Sequence, residues 1–528
     1  MGVYDKCAVF GIFGNRYAAN LTYLGLHALQ HRGQESSGII STDSNQFYSY
    51  KGRGLISEIF TKEIIESLKG NIAIGHNRYS TTGASSLNNV QPFAAHFKNG
   101  DIAIAHNGNL INSESIRHQL IEEGAIFHTT SDTENFLHLL AKSQYYDLPE
   151  ALSAVFSKVK GAYSLVLMTK DSLIGVRDPY GIRPLSLGKL GDSYILSSES
   201  CAFDLIGASF IRDIEPGEML FITTGGLKSY SFANEKSAAC IFEYVYFARP
   251  DSLLWGKSVY SIRKKMGAIL AEESAVDSDI VIPVPDSGIP AALGYAEKSG
   301  ISFQMGLMRN HYVGRTFIEP SQSIRHFGVK LKLNPIRSVV EGKTVTVVDD
   351  SIVRGTTSKK IIKMIKEAGA KKVHMRISSP PFISPCFYGI DTPTRRELIA
   401  SSHTAEEIRK YITADSLNFL SLKGMLKAAG KKEFCTACFT QNYPIKLESE
   451  PAYGTPLPFL DLGVAIVILA YPAPSLPNQY PELSAKRACK LKNFSSCLTS
   501  ISSLLKSSQA RNVPSCLLIP TVCMQFLR

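Results

Sequence analysis

Apolar positions change their rhythm twice along the chain. From Cys7 to about residue 235, short β-branched or aromatic runs (AVFGIF, IAIGH, IAIAH, AYSLVLM, GEMLFIT) are separated by Gly, Asn and Ser, a spacing that predicts strands joined by turns. Helical stretches over Leu21–Gln30 and Thr133–Gln144 stand between them, so an α+β unit with antiparallel sheets is expected here. From about Cys240 strand and helix alternate: VIPVP then AALGYAEKSG, TVTVVDD then TTSKKIIKMIKEAG, and finally KKVHMRISS. Such alternation predicts an α/β unit with a parallel sheet. After about residue 445 the pattern fades, and nine of the 25 prolines and the run SSCLTSISSLLKSS fall in the last 78 residues. A poorly ordered tail is expected over 446–528.

Length adds that more than one unit must be present, because 528 residues exceed what one core usually holds. With 44% hydrophobic and 20% charged residues the composition is that of an ordinary globular protein. The net charge of +11 invites a nucleic-acid reading, but the last 78 residues carry seven basic and two acidic side chains and so supply +5 of it. No basic block with interleaved aromatics occurs, and the central basic residues suit a phosphorylated small molecule better than DNA or RNA. The start, MGVYDKCAVF, lacks the pattern of a secretory leader. The apolar run from Leu462 to Tyr471 is too short to cross a bilayer, so a cytoplasmic protein with no membrane partner is expected. Ten cysteines are too few for a disulfide scaffold, which leaves ligands or nucleophiles as their chemistry. Cys489, Cys497, Cys516 and Cys523 lack ligand spacing.

Cys7 runs straight into an apolar strand pattern. If residues 1–6 are a propeptide and Lys6–Cys7 is cut, Cys7 gains a free α-amine of pKa near ~7.8 that can take the thiol proton. Alone, Cys7 reads better as a small core residue than as a nucleophile. LQHRGQESSGI, GHNRYSTTG, IAHNGNL and SDTEN follow in order, and together they resemble the glutaminase domain of the N-terminal-nucleophile (Ntn) amidotransferases. The resemblance implies Cys7 as nucleophile, Arg78 on the glutamine carboxylate, Asp132 on its amino group, and Asn107 and Gly108 as the oxyanion hole. Each oxyanion donor is worth roughly 2.7–4 kcal/mol in other acyl-transfer sites. Ala8 departs from the glycine that many relatives carry there.

In the second unit TVTVVDD ends in two carboxylates and passes through SIVRG into TTS, where a helix should begin. Asp349 and Asp350 at a strand end can hold ribose hydroxyls and magnesium waters. Backbone N–H groups from Arg354 and Gly355 to Thr357, and the hydroxyls of Thr356, Thr357 and Ser358, can grip a phosphate. VVDDSIVRGTTS resembles the signature of the type I phosphoribosyltransferases, and PVPDSG, with Asp286 and Ser287, resembles their pyrophosphate loop, Ser287 joining the magnesium set. Between them, MRNHYVGRTFIEPSQSIRHFGVKLKLNPIR resembles a lid whose Arg315, Arg325, Lys330 and Lys332 close over the pyrophosphate.

Cys435 and Cys438 form one C-x-x-C pair, with Cys240 and Cys386 far upstream; spacing alone leaves structural zinc, an iron–sulfur cluster and unrelated core thiols open. The four contexts resemble the Bacillus-type branch of the phosphoribosyl-pyrophosphate amidotransferases, which implies a [4Fe–4S] cluster on these cysteines. The whole resemblance covers about Cys7 to Ile445. It implies an Ntn domain over 7–239, with antiparallel sheets sandwiched by helices, then a type I phosphoribosyltransferase domain over 240–445. It further implies glutamine and phosphoribosyl pyrophosphate as substrates, Mg2+, AMP- or GMP-type feedback and a homotetramer. Other glutamine amidotransferases, such as glucosamine-phosphate or asparagine synthetases, lack the second signature. A phosphoribosyl-pyrophosphate-sensing regulator would leave Cys7, Arg78, Asn107 and Asp132 unexplained and would need a DNA-binding pattern that the sequence does not have.

Overall fold

Strands whose residues are apolar at every position need both faces covered, and Cys7–Phe13 is buried throughout. In the computed structural model, which describes residues 4–5, 7–79, 86–310, 333–430 and 433–447, this strand lies inside a seven-stranded antiparallel sheet. The order is Ser209–Asp213, Ser186–Leu190, Ser193–Ser197, Cys7–Phe13, Ile72–Arg78, Ser36–Thr42, Phe47–Arg53. A second antiparallel sheet has six strands, ordered Gly226–Ser231, Glu218–Thr223, Leu173–Arg177, Gly161–Met168, Gly100–Leu110, Phe93–Phe97. Val9, Phe13, Ile40 and Ile74 of the first sheet meet Ala103, Val166, Leu173 and Leu220 of the second in one core. Ala8, Phe10 and Ile12, on the alternate face, pack under the helices Ala18–Ala28 and Cys201–Ile206. Each of the larger side chains among these contributes about 1.5–3 kcal/mol when fully buried. The methyl of Ala8 sits in this core with no exposure, so the departure from glycine is accommodated.

The expected helices are present with shifted ends. The first is Ala18–Ala28, after which Gln30–Arg32 tightens into a 3-10 turn, and the second is Thr133–Ala141.

In the second half five strands are parallel, ordered Ser302–Phe303, Ile280–Pro283, Thr344–Asp349, Lys372–Ile377, Ser416–Phe419. The chain leaves Ile280–Pro283 toward one edge and returns on the other side with Thr344–Asp349, so the order reverses between these two neighbours. In open parallel sheets ligands bind outside the carboxyl ends at such a reversal. The helices Ile289–Ser299 and Thr356–Glu367 start just beyond those two strands.

The halves are joined by more than one connection. Ala239–Cys240 pairs in parallel with Phe434–Cys435, and the backbone of Tyr4–Asp5 pairs antiparallel with Ile390–Asp391. Ala162 and Ile182 of the antiparallel half share a core with Phe242, Tyr244, Phe382, Tyr388 and Phe439. The described residues all lie within one unit, Met1–Tyr453. Arg315, Arg325, Lys330 and Lys332 of the expected lid, and the expected tail from residue 448 onward, lie outside the described residues.

Candidate active site

The first site forms at one end of the two antiparallel sheets. Cys7 opens its strand, is almost fully buried, and sits directly across the ladder from Arg78, the last residue of Ile72–Arg78. Facing them on Gly100–Leu110 are Asn107 and Gly108. Ser198 links the two sheets: its Oγ accepts from the Val9 N–H at 2.9 Å and from Asn107 Nδ2 at 3.4 Å. Any side chain at position 108 would place its Cβ 2.0 Å from the carbonyl oxygen of Ala162, so only glycine fits. Asp132 stands at the N-terminus of Thr133–Ala141, where the helix dipole favours its charge, and its Oδ2 accepts from the Leu110 N–H at 3.0 Å. The structure therefore brings together all five residues read for this site.

Behind them lies a set of ionised groups that motif reading missed. Arg32, Arg183, Glu199 and Glu243 are all shut off from solvent. Arg32 bonds both Glu199 and Glu243, and Arg183 forms an ion pair with Glu243 at 3.2 Å. Burial opposes ionisation of Glu199, yet His31 and Arg32 beside it hold its carboxyl well below the usual range. A signal was available: Glu243 is a lone acid in the apolar run ACIFEYVYF, and a buried charge needs a partner.

The second site occupies the strand-order reversal. Pro283 is in register with Val348, which sets the PVPDSG loop beside the two aspartates. Ser287 Oγ and Ser351 Oγ each donate to the Asp350 carboxylate at 2.5 Å. Burial, followed by the charge of Asp350, raises Asp349 well above the ordinary carboxylate range, and burial raises Asp350 as well. Asp286 is exposed and pairs with Arg309. Gly355 takes a left-handed conformation (φ 72°), turning the chain so that Thr356 begins the helix with no side-chain cap on its N-terminal N–H groups. Thr356 and Thr357 are exposed and Ser358 is buried. The guanidinium of Arg354 is engaged with Glu397, at 2.6 Å.

Cys240 is paired in register with Cys435, and Cys438 follows one helical turn later. Cys386 Sγ accepts from the Tyr388 N–H at 3.3 Å. Burial first, then the charges of Cys240, Cys435 and Cys386, push the Cys438 thiol far up, and burial pushes Cys435 up to about 12. The four thiols thus lie within electrostatic reach of one another. Among the described residues no three His, Cys, Asp or Glu side chains stand close enough to hold a single metal ion.

An antiparallel glutaminase sandwich carrying a strand-initial cysteine, followed by a parallel sheet with an acid pair at its order reversal, defines an Ntn glutamine amidotransferase fused to a phosphoribosyltransferase. The family described as "Glutamine amidotransferase domain" matches residues 76–204. The chain is 51% identical over 454 residues to amidophosphoribosyltransferase of Bacillus subtilis, covering 84% of this chain and 95% of that one. It is 50% identical over 453 residues to that of Archaeoglobus fulgidus, covering 84% and 99%, and 53% identical over 447 residues to the chloroplastic amidophosphoribosyltransferase 1 of Arabidopsis thaliana, covering 84% and 79%. The solved glutamine phosphoribosylpyrophosphate amidotransferase from B. subtilis, complexed with ADP and GMP, superposes with a TM-score of 0.80 at 51% identity, covering 84% of this chain and 98% of that one. The chain belongs to the amidophosphoribosyltransferase family.

Proposed function

We propose that the chain takes ammonia from the side-chain amide of glutamine at Cys7 and delivers it to C1 of phosphoribosyl pyrophosphate. The products are glutamate, pyrophosphate and 5-phosphoribosylamine, in the first committed step of purine synthesis. The observation that carries this reading is the placement of a strand-initial cysteine and a strand-end acid pair in one compact unit.

Once Lys6–Cys7 is cut, the freed amine takes the thiol proton and the thiolate attacks the amide carbon. Arg78 and Asp132 hold the carboxylate and amino ends of glutamine, while the Gly108 N–H and the Asn107 amide face the developing oxyanion. Ammonia leaves as the thioester forms, and water then releases glutamate. In neutral water ammonia would become ammonium and lose its lone pair, so the route to the ribose must be closed. Contacts from the second half to the oxyanion strand support such a route: Asn109 Nδ2 donates to the Phe387 carbonyl at 3.0 Å, and Gly389 packs on Gly108.

At the second site Asp286 and Ser287 take the pyrophosphate. The N–H groups of Arg354 to Thr357 and the hydroxyls of Thr356, Thr357 and Ser358 take the 5-phosphate, and Lys330 is assigned to closure. Because Glu397 occupies the Arg354 guanidinium, its backbone is the assigned donor. Buried carboxylates at 349 and 350 without a full counter-charge fit a cation, and Asp349, Asp350 and Ser287 would hold magnesium, which supplies positive charge for the departing pyrophosphate. Cys240 and Cys435 stand in register, with Cys438 one turn on, and together with Cys386 these soft thiolate donors would hold a [4Fe–4S] cluster as a structural cross-link. Domain limits of 7–239 and 240–445 belong to this reading. So do cytoplasmic placement and a homotetramer inhibited by AMP- and GMP-type nucleotides, the last supported by the ADP and GMP of the B. subtilis relative.

Intact mass and Cys7→Ala test it together. Active protein is expected to begin at Cys7, and Cys7→Ala to lose glutamine-dependent turnover by on the order of 10⁴-fold or more while ammonia-dependent turnover persists. Full activity with the leader attached, or loss of both activities in the variant, overturns the reading.

A further inference from the structure

The buried charges behind the first site form a chain with a catalytic group at each end. Arg32 Nε reaches the carbonyl oxygen of Cys7 at 3.4 Å, while its Nη1 and Nη2 reach the two Glu243 oxygens at 3.1 and 2.7 Å. Arg183 contacts the same carboxylate at 3.2 Å and sends Nη2 to Asn107 Oδ1 at 3.5 Å. An arginine offers only donors, so the Asn107 atom that faces it must be the oxygen. Pinned in this way, the amide turns its NH2 toward Ser198, whose Oγ also accepts from the N–H of Val9, two residues after Cys7. Released, it could rotate by half a turn and present an oxygen where negative charge develops.

Glu243 comes from the segment that leads into the second half, three residues after Cys240, at the start of the turn Glu243–Phe247. That turn is gripped by Arg263, whose guanidinium donates to the carbonyls of Tyr244 at 2.7 Å and Ala248 at 2.8 Å and lies in the field of Asp350. Ionising four buried groups costs several kcal/mol each before pairing, and apolar side chains of similar volume would stabilise a fold as well. Stability alone therefore does not account for a carboxylate whose two arginines end on the nucleophile and on the oxyanion amide.

We propose that Glu243 is a positioning residue for glutamine hydrolysis: by holding Arg32 and Arg183 it fixes the Cys7 carbonyl and the Asn107 amide, making the first site dependent on a carboxylate delivered by the second half. This rests on the roles of Cys7 and Asn107 given above.

The test uses the full mature chain with Glu243→Asp, which keeps the charge but is one methylene too short to span both guanidiniums. The expected result is a kcat for glutamine hydrolysis lower by about 10²-fold, with KM for glutamine changed by less than about threefold and ammonia-dependent turnover by less than about twofold. The melting temperature should stay within a few degrees. A kcat within about twofold of the native value overturns the proposal, as does a parallel fall of both activities with the melting temperature, which marks a purely structural role. If the Asp variant does not fold, Glu243→Gln, unchanged in size but without the charge, is read by the ratio of the two activities rather than by melting temperature. Cys7→Ala run alongside separates the two levels. Hydrolysis that survives in Cys7→Ala removes the site reading and this proposal with it, whereas a dead Cys7→Ala beside a native-like Glu243→Asp removes only the proposal.

Discussion

His76 stands two residues before Arg78 on the same strand, shows no surface to solvent, and meets the carbonyl oxygen of His106 at 3.0 Å through Nε2. A carbonyl only accepts, so Nε2 carries a proton, and burial away from solvent disfavours a second proton on Nδ1. Burial above all lowers its pKa from 6.5 to about 3. Below pH 6.5 the unfolded chain takes up a proton that the folded chain refuses until about pH 3. Stability from this residue is therefore fully present above 6.5 and declines as the solution is acidified toward 3. Melting temperatures of the native chain and His76→Gln, compared from about pH 7.5 down to about pH 4.5, should show the native protein losing ground steadily toward the acid end. A difference independent of pH over that range would refute the assignment. At this scale the motifs led to Cys7, Arg78, Asn107, Gly108 and Asp132, which the fold places on neighbouring strands and at one helix start. Arg183 and Glu243 were not legible in this way: the lone acid of ACIFEYVYF signals a buried charge, but nothing in the sequence tells which distant arginines pair with it.

In the function proposed, the strand–loop–helix elements carry the phosphoribosyl chemistry, and their tolerance is set by backbone contact. A Cβ at Gly288 would lie 2.7 Å from the Val348 carbonyl oxygen and 2.8 Å from that of Val284. Both obstacles are main chain, one in the strand Thr344–Asp349 and one just past Ile280–Pro283, and cannot swing aside, so the loop holding Asp286 and Ser287 would have to lift from Asp350. Gly288→Ala should lower ammonia-dependent synthesis by about 10²-fold, since displacements near 1 Å cost that much in positioned reactions. Alkylation of Cys7 by an electrophilic glutamine analogue should proceed at the native rate. Equal rates of synthesis in variant and native protein would show that the loop does not need this close approach. The alternation of strand and helix was readable from apolar rhythm, as was the helix at Thr356. The reversal of strand order was not, because it depends on Ser302–Phe303 adding to the edge away from Thr344–Asp349, which sequence periodicity does not record.

For the molecule as a whole, the change of rhythm near residue 240 marks where one kind of sheet gives way to another, but it does not mark a seam along which the protein separates. Phe242, Tyr244 and Tyr388 pack in the same core as Ala162 and Ile182, and Glu243 is the carboxylate that Arg32 and Arg183 share. A chain of residues 7–239 would keep Glu199 for Arg32 but would strip Glu243 from both arginines. Breaking a buried ion pair by removing one partner costs about 3–5 kcal/mol. Set against a typical total of about 5–15 kcal/mol, that loss takes a large share, and the newly bared apolar surface adds to it. Expressed alone, 7–239 should therefore unfold without a cooperative transition in denaturant, followed by circular dichroism, and should not hydrolyse glutamine. A sharp transition with turnover in the isolated segment would mean that the antiparallel half is self-sufficient. Its dependence on Glu243 would then be a feature of the assembled chain alone.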